Sequence, residues 1–268
     1  MQIGTKSLFF FILIQLLACQ SRPAQESTEF DPVLAKATIS TATFYDVRGE
    51  DCDQPDSLQM NCASIDFEFP QVKTKKAEVD TKISRDVRAY LAAILSGGAP
   101  LQDSTALEEA AQLFWSYREE MEGSAMYNSF VAESSYEVLL DQPDYLTIEV
   151  NSYTYQGGAH GSPSALVQSY ELESGKALGL EDIFTDLAAL KTIAEAQFRQ
   201  ERQDAFEQGF EFDDLFAFAL PANFGLTKAG LYCHYLAYEV GPYALGNTIF
   251  TIPFSELEGI LRPPFDTW

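Results

Sequence analysis

The sequence predicts an α+β protein, with antiparallel sheets and packed helices in two intimately associated subdomains. Three observations lead there. Period-two alternation of apolar and polar residues, the mark of strands, recurs at 62–69 and 145–155. Between these stretches, apolar residues recur at helical spacing, as in Val79, Ile83, Val87, Leu91 and Ile94 before Gly97-Gly98. Helices and antiparallel strands also come in blocks rather than in strict alternation.

The chain begins with a processing segment. Lys6 precedes an apolar run at 8–17, too short to span a bilayer, and the run closes on Leu16-Leu17-Ala18-Cys19. That ending resembles the bacterial lipobox, so residues 1–18 are expected to be a lipoprotein signal peptide and Cys19 the lipidated first residue of the mature chain. Residues 19–31, drawn mostly from Ser, Arg, Pro, Ala, Gln and Glu with Phe30 as the single aromatic, read as a flexible tether. An N-terminal α+β domain follows at 32–175 and a C-terminal α+β module at 176–268. The expected location is the bacterial cell envelope, facing the periplasm or the exterior, with the membrane reached only through the lipid.

The elements follow in order. Residues 33–47 and 62–69 read as paired strands joined by a turn-rich loop. Export to an oxidising compartment predicts a disulfide between Cys52 and Cys62 across that loop, and leaves Cys233 as a buried free thiol. A helix over 79–94 ends at the paired glycines, and a second is expected from Asp103 or Ser104 until Gly123 stops it. Strands at 136–140, 145–155 and 165–172 precede a turn at 173–176. Asp186 is the expected N-cap of a helix over 187–206. Strands at 223–226, 231–238 and 247–254 complete the chain, with Ser255 capping a last helical turn.

Composition narrows the function. With 17 Lys and Arg against 40 Asp and Glu the formal charge is −23, and losing Lys6 with the leader takes it to −24. Phosphate backbones need a clustered positive surface, so nucleic acid is excluded as a partner, while a basic protein suits the field. The same acidity also serves simply to keep an exported protein dissolved. Metal chemistry finds few ligands, because His160 and His234 are the only histidines, and Cys233 and His234 should face opposite sides of a strand. No cofactor is expected. Gly161-Ser162-Pro163-Ser164-Ala165 lacks the G-x-S-x-G elbow, and the paired acids Glu119-Glu120 and Asp213-Asp214 read as solvated surface. No catalytic residue is therefore assigned.

The stretch Tyr153-Thr154-Tyr155-Gln156-Gly157-Gly158-Ala159-His160-Gly161 stands out. It joins a strand with a tyrosine-bearing face to a turn of glycines around one histidine. Two readings stay open: a tight connection that His160 ties down, or a recognition corner of exposed N–H groups, tyrosines and histidine.

This stretch is similar to the Gly-Gly-Ala-His-Gly signature of the RsiV-like extracellular domain family. The segments 178–184, 223–231, Tyr238-Glu239-Val240-Gly241-Pro242-Tyr243-Ala244 and 251–257 resemble further motifs of that family, in the same order. Relatives include lysozyme-binding anti-sigma factors and PdaC-type peptidoglycan deacetylases, which carry this region ahead of their catalytic domain. The sequence contains neither a sigma-binding segment nor the paired histidines of the deacetylase metal motif. The resemblance implies a non-enzymatic envelope lipoprotein that binds a muramidase-like protein such as lysozyme, or a wall glycan. A hydrolase acting on envelope polysaccharide or peptidoglycan is the alternative. The candidate binding residues are Tyr153, Tyr155, Gly157, Gly158, His160, Tyr238, Glu239 and Tyr243.

Overall fold

A computed structural model describes residues 37–49, 52, 62–121, 130–212 and 215–268. The expected signal peptide, Cys19, the tether, the interior of the disulfide loop, Gly123 and Asp213-Asp214 lie outside the described residues.

The first strands, β1 (Thr38–Arg48) and β2 (Ala63–Lys73), pair antiparallel with Tyr45 opposite Asp66. Between them Cys52 and Cys62 form the expected disulfide, their Cα atoms 4.8 Å apart. α1 (Ala77–Ser96) exists because Val79, Ile83, Val87, Leu91 and Leu95 fall four residues apart on one face, and all five are buried. It ends where Gly97 turns left-handed and Gly98 N–H bonds to the Ala93 carbonyl at 3.1 Å. α2 runs Leu107–Glu120, starting later than the capping residues suggest. Asp103 Oδ1 instead accepts from the Thr105 N–H and hydroxyl at 2.9 and 2.7 Å, a local turn that competes with helix initiation.

β3 (Phe130–Asp141), β4 (Tyr145–Gln156), β5 (Ser162–Glu171) and the two-residue β6 (Lys176–Ala177) complete a six-stranded sheet ordered β1-β2-β3-β4-β5-β6. All its pairs are antiparallel except β2 and β3, which run parallel because α1 and α2 form the crossover between them. One face of this sheet, with Ile65, Phe67, Phe130, Ala132, Leu146, Ile148 and Val150, packs on α1 and α2 as an apolar core. Trp115 of α2 joins it and donates its indole N–H to Asp46 of β1 at 2.7 Å.

The last third forms a second sheet. α3 (Leu180–Ile183) is a single turn absent from the sequence reading, and α4 (Leu187–Glu201) begins at Asp186, whose carboxylate accepts from the N–H groups of Ala188 and Ala189 as expected. The expected long helix breaks at Arg202, after which α5 (Gln203–Glu207) continues. β7 (Asn223–Leu226), β8 (Gly230–Tyr235) and β9 (Thr248–Pro253) are antiparallel. α4 packs on β9 over a second core that includes Phe198, Tyr235, Phe250 and the free thiol of Cys233. Ser255 lies inside a 3-10 turn, Phe254–Glu256, that Pro253 precedes.

The other side of the three-stranded sheet lies against β4 and β5. The approach is close: a Cβ on Gly225 would stand 2.5 Å from Thr147 Cγ2 and 3.0 Å from Val167 Cγ1, so only glycine fits there. The described residues thus form one compact unit with helices on one face of the large sheet and a small sheet on the other. Among the described residues, no helix is long and apolar enough to cross a membrane.

Candidate functional site

β4 organises two polar features of the molecule. Its residues Leu146, Ile148 and Val150 face the helices, so Thr147, Glu149, Asn151 and Tyr153 face the other way. The small sheet covers Thr147 and Glu149, whereas Asn151 and Tyr153 stay in the open.

The open half forms a groove of about 380 Å³ lined by Asp66, Glu68, Glu133, Ser135, Asn151 and Tyr153. Strand register explains the lining: Asp66 of β2 opposes Glu133 of β3, and Glu133 opposes Tyr153 of β4. Tyr45 extends the row on β1 and is 68% exposed. Two carboxylates therefore lie between two exposed phenol rings along one line of the sheet.

The glycine loop forms one end of this row, and each glycine has its own reason. Gly157 and Gly158 have φ of +86° and +98°, with open space around Gly158, so backbone conformation is the constraint there. Gly161 answers to packing, since a Cβ would lie 2.1 Å from the Tyr153 hydroxyl. Tyr155 donates its hydroxyl to the Gly158 carbonyl at 3.0 Å, closing the turn. His160 stacks on Tyr243, ring centroids 3.9 Å apart at 20°. Tyr243 donates to the Gly161 carbonyl at 3.3 Å, and His160 Nδ1 lies 3.0 Å from the same oxygen. Tyr238, with φ of +72°, adds an exposed ring 5.7 Å from Tyr243.

Seven of the eight candidate residues thus gather at the junction of the glycine loop with the 238–243 turn. Glu239 stands apart, because its carboxylate accepts from the N–H groups of Ala222 and Leu236 at 2.7 and 3.0 Å. It holds the turn that presents Tyr238.

The covered half contains a network that the sequence reading missed. Glu149 and His234 are both buried, with His234 Nδ1 2.7 Å from Glu149 Oε1. Tyr232 donates its hydroxyl to the same carboxylate, 3.1 Å from each oxygen. Asn247 Nδ2 lies 3.1 Å from His234 Nε2, so one tautomer, protonated at Nδ1, satisfies both ring nitrogens. Burial, with the Glu149 charge beside it, raises the Tyr232 phenol well above its ordinary range. A carboxylate–histidine pair invites a catalytic reading, but every polar atom of this pair already has a protein partner and the pair is sealed from solvent. It ties β4 to β8.

Other chemistry-bearing groups are engaged elsewhere. Cys233 points away from His234 into the second core, where burial pushes its thiol far up. Among the described residues, no group of three or more His, Cys, Asp and Glu could hold a metal ion.

Two family comparisons divide the chain along the seam just described. The DUF3298 family, described as a protein of unknown function, matches residues 181–255. The chain carries a DUF3298 domain. The family of the deacetylase PdaC matches residues 57–163, which include α1, α2, the acidic groove and the glycine loop up to Pro163. The DUF3298 domain holds the small sheet and Tyr243. Both the His160–Tyr243 stack and the Glu149–His234 pair therefore bridge the two matched regions.

The fold is similar to that of two crystallised DUF3298-family proteins. One, from Bacteroides fragilis, is 21% identical with a TM-score of 0.63, the match covering 85% of this chain and 95% of that one. The other, from Pseudomonas aeruginosa, is 21% identical with a TM-score of 0.59, covering 85% and 96%. No significant match is found among curated proteins.

Proposed function

We propose that this protein is a non-enzymatic binding module of the cell envelope that captures a basic, muramidase-like protein. The single observation that carries the reading is the row Tyr45, Asp66, Glu133, Tyr153 on the open half of the six-stranded sheet, in a chain of charge −23. Carboxylates between exposed phenols suit lysine and arginine side chains, which gain Coulomb attraction from the acids and ring-face contact from the tyrosines. The glycine loop and Tyr238 then form the end of the contact surface.

An envelope location is supported by the disulfide, which an oxidising compartment maintains, and by the match to a deacetylase family over the first half. The lipobox ending at Cys19 supplies the attachment.

Calorimetric titration with a basic lysozyme at low salt tests the reading. Saturable binding is expected, weakened about ten-fold by the double variant Asp66→Asn/Glu133→Gln and further by added salt. Absence of lysozyme binding together with saturable binding of peptidoglycan fragments would move the ligand to the glycan. Turnover of those fragments that Glu133→Gln abolishes would replace capture with hydrolysis.

A further inference from the structure

Against the acidic background, residues 73–88 reverse the sign. They hold six cations, Lys73, Lys75, Lys76, Lys82, Arg85 and Arg88, against three acids, Glu78, Asp80 and Asp86. A groove of about 430 Å³ opens here between the end of β2 and α1, with Lys73, Arg85 and Arg88, and one acid, Asp80, around the hydroxyls of Thr81, Ser84 and Thr105. We propose that this basic groove docks the domain onto the anionic phospholipid headgroups of the membrane that anchors it.

The nearby acids pair with several of these cations without covering them. Asp80 accepts from the Thr74 N–H and hydroxyl at 2.6 and 2.7 Å, and its other oxygen lies 3.7 Å from the exposed Lys73 ammonium. Asp86 bonds to Arg85, Glu173 to Lys76 and Glu108 approaches Arg88 at 3.8 Å, all at least partly exposed pairs of a kind that contributes little and exchanges readily. Lys82 donates to the Ser174 carbonyl, which leaves its charge unneutralised, and Lys73, Lys75, Lys82 and Arg85 are all exposed.

Topology supplies the occupant. Thr38, where β1 begins, pairs with Lys73, so the chain enters the fold at the rim of this groove. Only eighteen residues, 19–36, separate Cys19 from the start of the described fold, a contour of at most about 65 Å, so the basic end cannot leave the neighbourhood of a bilayer that holds Cys19. The acidic groove lies toward the opposite end of β2: seven residues from Lys73 to Asp66 correspond to about 23 Å of strand. At about 0.15 M salt, charges beyond roughly 8 Å are screened, so the local cations, not the net charge of the chain, decide the contact. Docked this way, the domain presents its acidic face away from the membrane. The commitment to lipid rather than to a free anion rests on the reading of Cys19 as lipidated, which fractionation of Cys19→Ser tests separately.

Vesicle co-sedimentation of the full chain tests the proposal, comparing phosphatidylcholine with an equal mixture of phosphatidylcholine and phosphatidylglycerol. Any acyl chain or apolar leader contributes equally to both and cancels in the ratio. A preference of about ten-fold for the anionic vesicles is expected at physiological salt, lost in the triple variant Lys73→Gln/Lys75→Gln/Arg85→Gln with an unchanged melt. It should survive Lys191→Gln/Lys228→Gln, which removes two remote cations. Equal partition onto the two vesicle types, or a triple variant that keeps the preference, would overturn the proposal. Displacement by inorganic phosphate at matched ionic strength would overturn it in favour of a free-anion site. Lysozyme binding is read independently, so failure of either proposal leaves the other standing.

Discussion

The two faces of the six-stranded sheet are buried by opposite means. On one, α1 and α2 cover Ile65, Phe67, Ile148 and Val150 mainly with apolar side chains, adding two side-chain hydrogen bonds, Trp115 to Asp46 and Tyr90 with Ser152. On the other, a second sheet covers Thr147, Glu149 and Ser169 through hydrogen bonds. Apolar burial is tolerant of orientation, whereas a buried carboxylate is stable only while its specific donors stay in place. The helical face therefore supplies bulk stability, and the sheet face fixes how the DUF3298 domain sits on the rest. That register brings Tyr243 onto His160 and leaves the acidic half of the same face open.

Adjacent residues of β4 give the sharpest contrast. Ile148→Ala should cost about 2 to 5 kcal/mol through the cavity it leaves in the apolar core. Glu149→Ala should cost about 3 to 5 kcal/mol, because it strands His234 and Tyr232 without an acceptor. The character of the loss should differ as well. Ile148→Ala is expected to shift a single denaturation transition, while Glu149→Ala should loosen the small sheet first and split the transition. Urea titration followed by far-ultraviolet circular dichroism and by tyrosine fluorescence reads both, and coincident probes for Glu149→Ala would show that the polar contact is not what couples the layers.

The disulfide belongs to the helical side of the comparison, since it closes the β1–β2 connection. Cys52→Ser should lower stability by about 2.5 to 3 kcal/mol from the entropy of the opened loop. The effect should fall on the first core and leave the glycine loop intact. A variant that melts at the wild-type temperature under oxidising conditions would place the constraint elsewhere.

Alkali should attack both faces together. Burial raises the phenols of Tyr170 in the first core, Tyr232 between the sheets and Tyr235 in the second core, and the Cys233 thiol beside it. Each group is held protonated in the fold above the range in which it ionises in an unfolded chain. Their contribution is therefore complete below about pH 8.5 to 10 and is lost as pH rises beyond it. The melting temperature should decline steadily from about pH 9 upward. Cys233 should resist alkylation at pH 8 until the protein is denatured, and rapid labelling of the native protein would contradict its burial.

The helical face was legible in the sequence and the sheet face was not, for one reason. The spacing of Val79, Ile83, Val87 and Leu91 states its own buried side, and Asp186 states its own cap, because both are local. The parallel pairing of β2 with β3 departs from the antiparallel sheets expected from the sequence, because the two helices between these strands make a crossover rather than a hairpin. Glu149 carries no such mark. In the alternation of β4 it reads as an outward polar residue, and only the arrival of His234, 85 residues later, buries it. The glycine loop was found through its composition, but its partner Tyr243 came from motif order rather than from any physical signal in the chain.

The smallest expected effect separates the two readings of His160. Its stack on Tyr243 bridges the two matched regions, as the Glu149 pair does, but at the surface. An exposed ring pair is worth about 0.5 to 1.5 kcal/mol, and the Gly161 carbonyl that His160 meets keeps Tyr243 as a donor when the imidazole is removed. His160→Ala should therefore cost about 1 kcal/mol or less in stability, well below Glu149→Ala. The rim should feel it more, since Tyr243 loses its stacking partner beside Tyr153 and Tyr238. A thermal melt and one lysozyme titration decide the matter. A shift of a few degrees with binding intact makes His160 a clamp. An unaltered melt with affinity lowered about ten-fold makes it part of the contact surface, and extends the capture site from the acidic groove onto the glycine loop.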